Sequence, residues 1–374
     1  MRTQKILLLI AACYLAGFLA HAAILKKTVY GDGIFYYSWM RSVVVDHDVA
    51  FSDEYAHFHT GQPTTSLRLP GNKYSIGPAL LWSPWFFWTH SVVRGSGYEL
   101  PYQLVTGLTG VFYALIGLLL LFLVLNKYFD NTASLAAIIG IAGATNLLFY
   151  GSLDTVNSHA ASFFASVLFL TFLFQKPKNW FAVGCALGLV GLMRTQDLVF
   201  GLLVLPFIKP KEIPVFASGV LLFFLPQLAA WQLLYGKFWV SPYVSNIEGF
   251  NFLKPQLLGV LFSPTDGLFL WTPMILIASA GFWIKNTRGL PMKFMGIIVL
   301  LELYIIASWS IWWQGASYSG RMFVSSLPFF AFGLANLFSS FKVFKLRHLI
   351  LNWCIVLPLN LVNCCLIVYF LLSH

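Results

Sequence analysis

The chain has 374 residues, of which 59% are hydrophobic, 17% are aromatic and only 10% are charged. Soluble domains carry about 25% charged residues, so this composition excludes an ordinary water-exposed surface. It predicts an all-α membrane protein that crosses the bilayer many times. The formal net charge is +10, but most of the excess lies in short loops, which indicates membrane orientation rather than nucleic acid binding.

Eleven apolar segments are candidates for membrane spans. They are 6–25, 104–126, 133–150, 159–174, 180–193, 198–208, 213–235, 268–284, 292–312, 322–340 and 349–372. The first run follows a basic start and is longer than the core of a cleavable signal peptide, so it predicts a membrane anchor. Eleven spans place the N-terminus inside and the C-terminus outside.

Two regions allow other span counts. The segment 76–93 contains Pro78, Pro84 and three tryptophans, which favours an interfacial or re-entrant helix over a span. The segments 180–193 and 198–208 are read as a short hairpin rather than as one span, because this choice places thirteen of the 23 lysines and arginines in inner loops. Those residues are Arg2, Lys5, Lys127, Lys176, Lys178, Lys209, Lys211, Lys285, Arg288, Lys293, Lys342, Lys345 and Arg347.

The long polar segment 26–103 forms the predicted first outer loop, within a single membrane domain over 1–374 that has no separate soluble domain. Ten of the thirteen acidic residues lie outside in this topology, which indicates chemistry on the outer face. Asp32 opens the loop between two glycines, which leave its carboxylate sterically open. The segment 34–45 is apolar nearly all round, and we expect it to lie on the bilayer surface as an interfacial helix.

A cluster of four acids and three histidines lies between Asp46 and His59. It could ligate a divalent metal, or it could be a solvated loop with helix-capping acids. Asp46, Asp48, His57 and His59 are candidate substrate-binding residues. No spacing matches a zinc or calcium pattern, so neither a metal nor another cofactor is predicted.

This layout resembles the GT-C superfamily of integral-membrane glycosyltransferases, which includes the protein O-mannosyltransferases and the aminoarabinose transferases of lipid A. In that family one span leads to an aspartate that opens a large outer loop, which corresponds to Asp32. The segment 72–82 resembles the family's approach to a further surface helix, and 184–194 resembles its glycine-rich hairpin followed by a basic residue. Members usually carry a second acid beside the first, and Asp46, Asp48 and Asp53 are the alternatives here.

The resemblance implies an inverting glycosyltransferase. It would move a sugar from a polyprenyl-phosphate carrier to a hydroxyl of a glycan, lipid or protein acceptor, on the outward face of the bacterial cytoplasmic membrane. Asp32 would act as the general base. The candidate ligands of the donor phosphate are Arg321, Arg194 and Lys73.

Several of these residues have structural alternatives. Arg321 follows a loop of small residues that suits an anion site, but it could also be a snorkelling arginine. Arg194 could form an ion pair with Asp197 at the hairpin tip. Asp266 and His159 could bind substrate hydroxyls, or they could cap the helices that they precede.

The alternative function is that of a transporter or flippase for a lipid-linked or anionic substrate. Transporters place charged groups near the bilayer midplane and often contain internal repeats. The sequence has no visible repeat, and Glu302 is the one acid expected at mid-depth, where a functional carboxylate and a neutral structural one are equally compatible. The distribution of acids therefore favours the enzyme.

Overall fold

The computed structural model describes residues 2–245, 248–286, 288–343 and 348–373. Within these ranges the chain is helical, and its β-structure is limited to two isolated bridges. This confirms the predicted all-α class. Helices form from the apolar runs because a bilayer offers no partner to backbone N–H and C=O groups, which must therefore bond within their own segment.

The first half of the chain provides the first outer loop and the helices on either side of it. Its α-helices are α1 (Arg2–Leu25), α2 (Gly33–Arg41), α3 (Ser52–His57), α4 (Gly77–Val93), α5 (Leu100–Leu125), α6 (Asn131–Gly143), α7 (Leu147–Ser152), α8 (Ser158–Phe174) and α9 (Trp180–Met193). A π-helical turn, Ser42–Asp46, continues α2. Eight of the nine residues of α2 are buried, so protein covers its apolar side chains. Its course along the bilayer surface stays a prediction.

The second half begins with a 3₁₀-helix, Thr195–Val204, and a short 3₁₀ turn, Pro210–Glu212. Its α-helices are α10 (Ile213–Tyr235), α11 (Pro242–Ser245), α12 (Leu257–Phe262), α13 (Leu268–Trp271), α14 (Pro273–Gly281), α15 (Met292–Ser308), α16 (Leu327–Val343) and α17 (His348–Ser373). A second 3₁₀-helix, Arg321–Ser326, leads into α16.

Within the described residues, five helical stretches are long and apolar enough to cross a membrane, which makes this a multi-pass membrane protein. They are Thr3–Leu25, Leu100–Leu125, Pro210–Tyr235, Arg321–Phe341 and Leu351–Ser373. The other predicted spans are shorter or interrupted. The segment 133–150 divides into α6 and α7, and 268–284 divides at Pro273, whose nitrogen has no hydrogen to donate. The count of eleven spans remains a prediction.

The long helices differ in how deeply they are buried. In the stretch Arg321–Phe341, which contains most of α16, 89% of the most apolar segment is buried inside the protein. The corresponding share is 17% in α1 and 22% in α17. A central helix must pack against protein on every side, whereas a peripheral one turns apolar residues towards lipid. The helix α16 is therefore the centre of the bundle, and α1 and α17 lie at its edge.

The predicted inner loops meet at one end of the bundle. Thr3 and Asn131 approach to 3.5 Å through their side-chain oxygens, and the Tyr128 hydroxyl donates to the carbonyl of Phe174 at 3.2 Å. The Lys178 ammonium lies 4.5 Å from the centre of the Phe207 ring. These contacts agree with the predicted sidedness of the loops. Lys345 and Arg347, which were predicted on the same side, lie outside the described residues.

The predicted hairpin at 180–208 is formed by α9 and the 3₁₀-helix that follows it. The helices α9 and α10 pack through glycines: a Cβ atom at Gly184 would lie 2.0 Å from the carbonyl oxygen of Phe216, and one at Gly219 would lie 2.4 Å from that of Phe181. Such contacts let two helix backbones approach closely. They fix the end of α9, where the chain reverses at Arg194.

The topology can be tested by labelling from each side of the membrane. Cysteines introduced at Asp53 in the first outer loop and at Lys176 between α8 and α9 should react with a membrane-impermeant maleimide from opposite sides. Both side chains are exposed, so reactivity reports access to water. The five native cysteines are replaced first. Labelling of both positions from one side would contradict the predicted arrangement.

Candidate active site

A cavity of about 440 Å³ lies where several helix ends converge. The residues that line it follow α1, precede α8, follow α9 and α15, and precede α16. Every one of these junctions is on the predicted outer side. Five of the residues singled out in the sequence meet here: Asp32, Lys73, His159, Arg194 and Arg321.

Asp32 directs its carboxylate into the cavity. It occupies the N-cap position of α2 but makes no capping hydrogen bond. One carboxylate oxygen, Oδ2, lies 2.7 Å from Nη1 of Arg321. The other, Oδ1, accepts a hydrogen bond of 2.7 Å from the Tyr74 hydroxyl. Both oxygens are thus held in place.

Two glycines position Asp32. Gly31 has a φ of +53°, a left-handed conformation that favours glycine. At Gly33 a Cβ atom would lie 2.2 Å from the carbonyl oxygen of Val156, so only glycine allows α2 to pack against the loop before α8. The Tyr36 hydroxyl then donates to Oγ of Ser158 at 2.9 Å. The start of the first outer loop is therefore locked to the start of α8.

Asp32 is ionised at neutral pH. Burial raises the pKa of its carboxyl, but the Arg321 guanidinium, the Tyr74 hydrogen bond and the Lys73 ammonium together lower that pKa below its ordinary value. A carboxylate with a lowered pKa is available to accept a proton but is a weak base. Its basicity rises if a ligand draws Arg321 away.

The charge of Lys73 is balanced within the cavity by an ion pair. Its ammonium lies 2.5 Å from Oε1 of Glu248, and Oε2 of Glu248 accepts a hydrogen bond of 3.1 Å from the indole of Trp309. From the sequence, Glu248 is only one of the ten acids predicted on the outer side. Because this ion pair links residues 175 positions apart, the pattern of the sequence gives no sign of it.

Arg194 is the cavity cation without an ion pair among the described residues. Its Nη1 lies 3.0 Å from Nδ1 of His159, and its Nη2 contacts the sulfur of Met322. A guanidinium can only donate, so Nδ1 of His159 must accept and the ring proton is assigned to Nε2. His159 is therefore neutral in this arrangement.

Two buried carboxylates lie behind Arg194. Asp197 is fully buried and lies beyond ion-pair distance of Arg194, so the predicted alternative of an Arg194–Asp197 ion pair is not formed. Glu302 accepts hydrogen bonds from Ser325 at 3.4 Å and from Ser326. Neither acid forms an ion pair with Arg194, so the N–H groups of Arg194 have no carboxylate partner among the described residues.

Asp154 is a further acid that interacts with Asp32 and Arg321, and it was not predicted as a site residue from the sequence. It lies in the loop between α7 and α8, and its carboxyl interacts with Asn157 and with the Tyr30 hydroxyl. Burial raises its pKa to about 7, Arg321 opposes that rise and the charge of Asp32 adds to it. Asp154 comes just before Asn157 and His159, at the predicted start of a span. This position is the feature of the sequence that could have identified it as a site residue.

Four predicted residues lie outside the cavity. Asp46 pairs with Arg41, and Asp48 accepts hydrogen bonds from Ser42 and from the Ala50 backbone. His57 stacks on Tyr98 with ring centres 3.8 Å apart, and His59 is exposed. Among the described residues no three His, Cys, Asp or Glu side chains gather as metal ligands.

For Asp46, Asp48, His57 and His59 the structure thus favours the solvated-loop interpretation over substrate binding. Their neighbours explain why they cluster in the sequence. The Arg41 guanidinium lies 3.0 Å from Glu54 and 4.2 Å from the centre of the Tyr98 ring, in addition to its contact with Asp46. The acids hold the outer loop together around this arginine.

Asp266 lies beside the main cavity rather than in it. It lines a smaller cavity of about 290 Å³ together with Trp313 and Ser317. Gly315 contributes to the walls of both cavities. Asp266 is therefore close to the predicted site without sharing its main chamber.

Comparison with known structures gives the class of fold. The chain matches the apo form of the Archaeoglobus fulgidus oligosaccharyltransferase over 97% of its length, with a TM-score of 0.56 and 12% identity. It matches the archaeal oligosaccharyltransferase AglB from Archaeoglobus fulgidus, in complex with an inhibitory peptide and a dolichol-phosphate, over 99% with a TM-score of 0.52 and 12% identity. The match to apo ArnT from Cupriavidus metallidurans covers 90%, with a TM-score of 0.51 and 12% identity.

These similarities confirm the predicted GT-C-like fold. The chain spans 56%, 55% and 60% of the lengths of the three solved chains. No protein-family model matches it. No curated protein matches it either.

The raised pKa of Asp154 predicts how stability depends on pH. An acid whose pKa is higher in the folded than in the unfolded state stabilises the fold when protonated, and this contribution is lost as pH rises through the folded value, here about 7. The melting temperature should therefore fall between pH 5.5 and 8.5, and Asp154→Asn should reduce that fall. Because the pKa of Asp32 is lowered, its titration changes the melting temperature only below pH 5.5. Parallel melting curves for the two proteins would contradict the assignment.

Proposed function

We propose that this protein is an inverting glycosyltransferase that takes a sugar from a polyprenyl-phosphate carrier and passes it to an acceptor hydroxyl on the outer face of the bacterial cytoplasmic membrane. The observation that carries the proposal is the carboxylate of Asp32, 2.7 Å from Arg321, in one cavity with the unpaired cation Arg194. Base and anion-binding groups are the two parts that this chemistry requires.

Arg194 is the proposed ligand of the donor phosphate. Its N–H groups have no carboxylate partner among the described residues, whereas Lys73 is paired with Glu248 and Arg321 with Asp32. Charge-assisted and bidentate hydrogen bonds make arginine well suited to a phosphate. His159, which is neutral beside Arg194, supplies an N–H at Nε2 as a further donor.

In the proposed step the acceptor oxygen attacks the anomeric carbon from the side opposite the phosphate. The bond from that carbon to the phosphate oxygen breaks, and its electron pair leaves with the phosphate. Asp32 accepts the proton of the attacking hydroxyl, while Tyr74 and Arg321 hold the carboxylate in position. Arg194 stabilises the charge that grows on the leaving phosphate.

The apolar part of the carrier would lie along the wall formed by α10 and the segment that follows it. Trp231, Trp239 and Phe250 line this side of the cavity. Trp239 is 69% exposed, and Leu233 on α10 is 56% exposed, so an apolar surface leads outward from the cavity. Burying about 25 cal/mol per Å² of such surface would favour a prenyl chain. The dolichol-phosphate bound to AglB supports this class of donor.

Replacing the base should abolish transfer. Asp32→Asn keeps the side-chain size but cannot accept the proton, and general bases contribute about 10²- to 10⁴-fold to rates. We expect at least a hundredfold loss of product, measured by mass spectrometry of cell-envelope glycans from cells that make the parent or the variant at equal levels. The structure places Asp53 outside the cavity and exposed, so it is not the second acid of this site. Asp53→Asn is therefore the matched control and should leave the product unchanged. Full product from Asp32→Asn would refute the assignment.

Binding of the carrier should depend on Arg194. A hydrogen bond to a charged group contributes about 1.5–3 kcal/mol, so Arg194→Gln should weaken binding of polyprenyl phosphate at least tenfold. Ligand binding raises the melting temperature, and a titration of purified protein in detergent measures the change, with the corresponding polyprenol as the probe without phosphate. Lys254→Gln, at an exposed outer cation, is the control. Equal affinities of the parent and Arg194→Gln would exclude Arg194 as the phosphate ligand.

A further inference from the structure

The smaller cavity beside the active site has the chemistry of a carbohydrate site. Thr265, Asp266, Trp313, Gly315, Ala316 and Ser317 line its volume of about 290 Å³. This is close to the lower end of the range of pockets that hold small ligands, roughly 300–1,000 Å³. Thr265, Trp313 and Ala316 are exposed, so the cavity is accessible from outside.

Asp266 gives this cavity unused capacity to accept hydrogen bonds. It is only 7% exposed, and it forms no ion pair with a described residue. Its side chain receives a hydrogen bond of 3.1 Å from the neighbouring Thr265 hydroxyl. A carboxylate offers about four acceptor positions on its two oxygens, so several remain for the hydroxyls of a ligand. Ser317, which is also buried, adds another hydroxyl.

Trp313 gives the same cavity an apolar face. Its side chain is 45% exposed, and its ring packs edge-on against Trp312 with centres 5.8 Å apart. An indole presents a large rigid surface at low cost in conformational entropy. The apolar face of a sugar ring fits such a surface, while its hydroxyls fit a carboxylate. The lining residues include no cation, so an anionic ligand is disfavoured.

The wall between the two cavities is a single stretch of main chain. Gln314 and Gly315 have φ values of +63° and +74°, and the Gln314 side chain accepts a hydrogen bond of 2.7 Å from the backbone N–H of Met322. A Cβ atom at Gly315 would lie 3.5 Å from Nη2 of Arg321. The Arg321 guanidinium that holds Asp32 therefore lies against this wall. Its charge opposes binding of a free cation to Asp266 on the other side.

We infer that this second cavity is the acceptor subsite and that the acceptor is a neutral saccharide, with hydroxyls that donate to Asp266 and a ring that packs on Trp313. The inference rests on the proposed function, since it names the class of acceptor for that reaction. Gly315 lines both cavities, so a saccharide held here lies next to the main cavity. A further sugar of the same acceptor that extends past Gly315 into the main cavity would bring a hydroxyl to Asp32, and that hydroxyl would supply the attacking oxygen.

The test uses the full chain in nanodiscs and measures direct binding of neutral disaccharides by saturation-transfer NMR, without a lipid donor. The parent protein should bind at least one disaccharide from a panel of common hexose linkages. Asp266→Asn and Trp313→Ala should each weaken that binding at least tenfold. Trp283→Ala, at a tryptophan of similar exposure on the inner side of the bundle, and Asp53→Asn are the matched controls. Both should bind as the parent does.

The outcomes separate this inference from the proposed function. Asp32→Asn should still bind the disaccharide while it loses transfer, and Arg194→Gln should still bind it while it loses affinity for polyprenyl phosphate. Failure of the parent to bind any disaccharide, or equal binding by Asp266→Asn and Trp313→Ala, would overturn the acceptor subsite and leave the donor site intact. Binding of N-acetyl-lysine methyl amide in preference to the sugars would also overturn it.

Discussion

The pairing of Asp32 with Arg321 joins the start of the first outer loop to the second half of the chain. A half-buried carboxylate and guanidinium stabilise each other, and here they come from the loop after α1 and from the helix that leads into α16. Around this pair Tyr74 holds the second oxygen of Asp32, and Gly33 brings α2 against the loop before α8. The geometry of the outer loop thus depends on one charged contact.

The three cations of the cavity differ in whether a carboxylate pairs with them. Two of its three cations are neutralised at short range by Asp32 and Glu248, which leaves Arg194 as the cation free to meet an anion. Asp197 and Glu302 are buried close to Arg194 but form no ion pair with it, so they leave its N–H groups unoccupied by a carboxylate among the described residues. In the proposed reaction this arrangement gives the phosphate and the transferred proton separate groups, Arg194 and Asp32.

Much of this architecture could be predicted from the sequence, because the bilayer forces apolar runs into helices and basic loops to one side. Asp32, Arg194 and Arg321 could be selected for the same reason, since charges at the ends of apolar spans are few. The partners Tyr74 and Glu248 could not, because they reach the site through contacts 42 and 175 residues apart. The burial of α2 against protein could not be predicted either, because an apolar helix fits lipid and protein equally well, and only packing decides between them.

The 3₁₀ geometry of Thr195–Val204 bears on how such proteins are detected in genomes. A 3₁₀-helix rises about 2 Å per residue against about 1.5 Å in an α-helix, so these ten residues extend as far as roughly thirteen in α-helical form. A hydropathy window tuned to twenty residues overlooks so short a stretch, and in the eleven-span prediction its omission inverts the assigned sidedness of everything downstream. Topology assignments for chains with a short 3₁₀ segment of this kind therefore need a measurement of which side each loop faces.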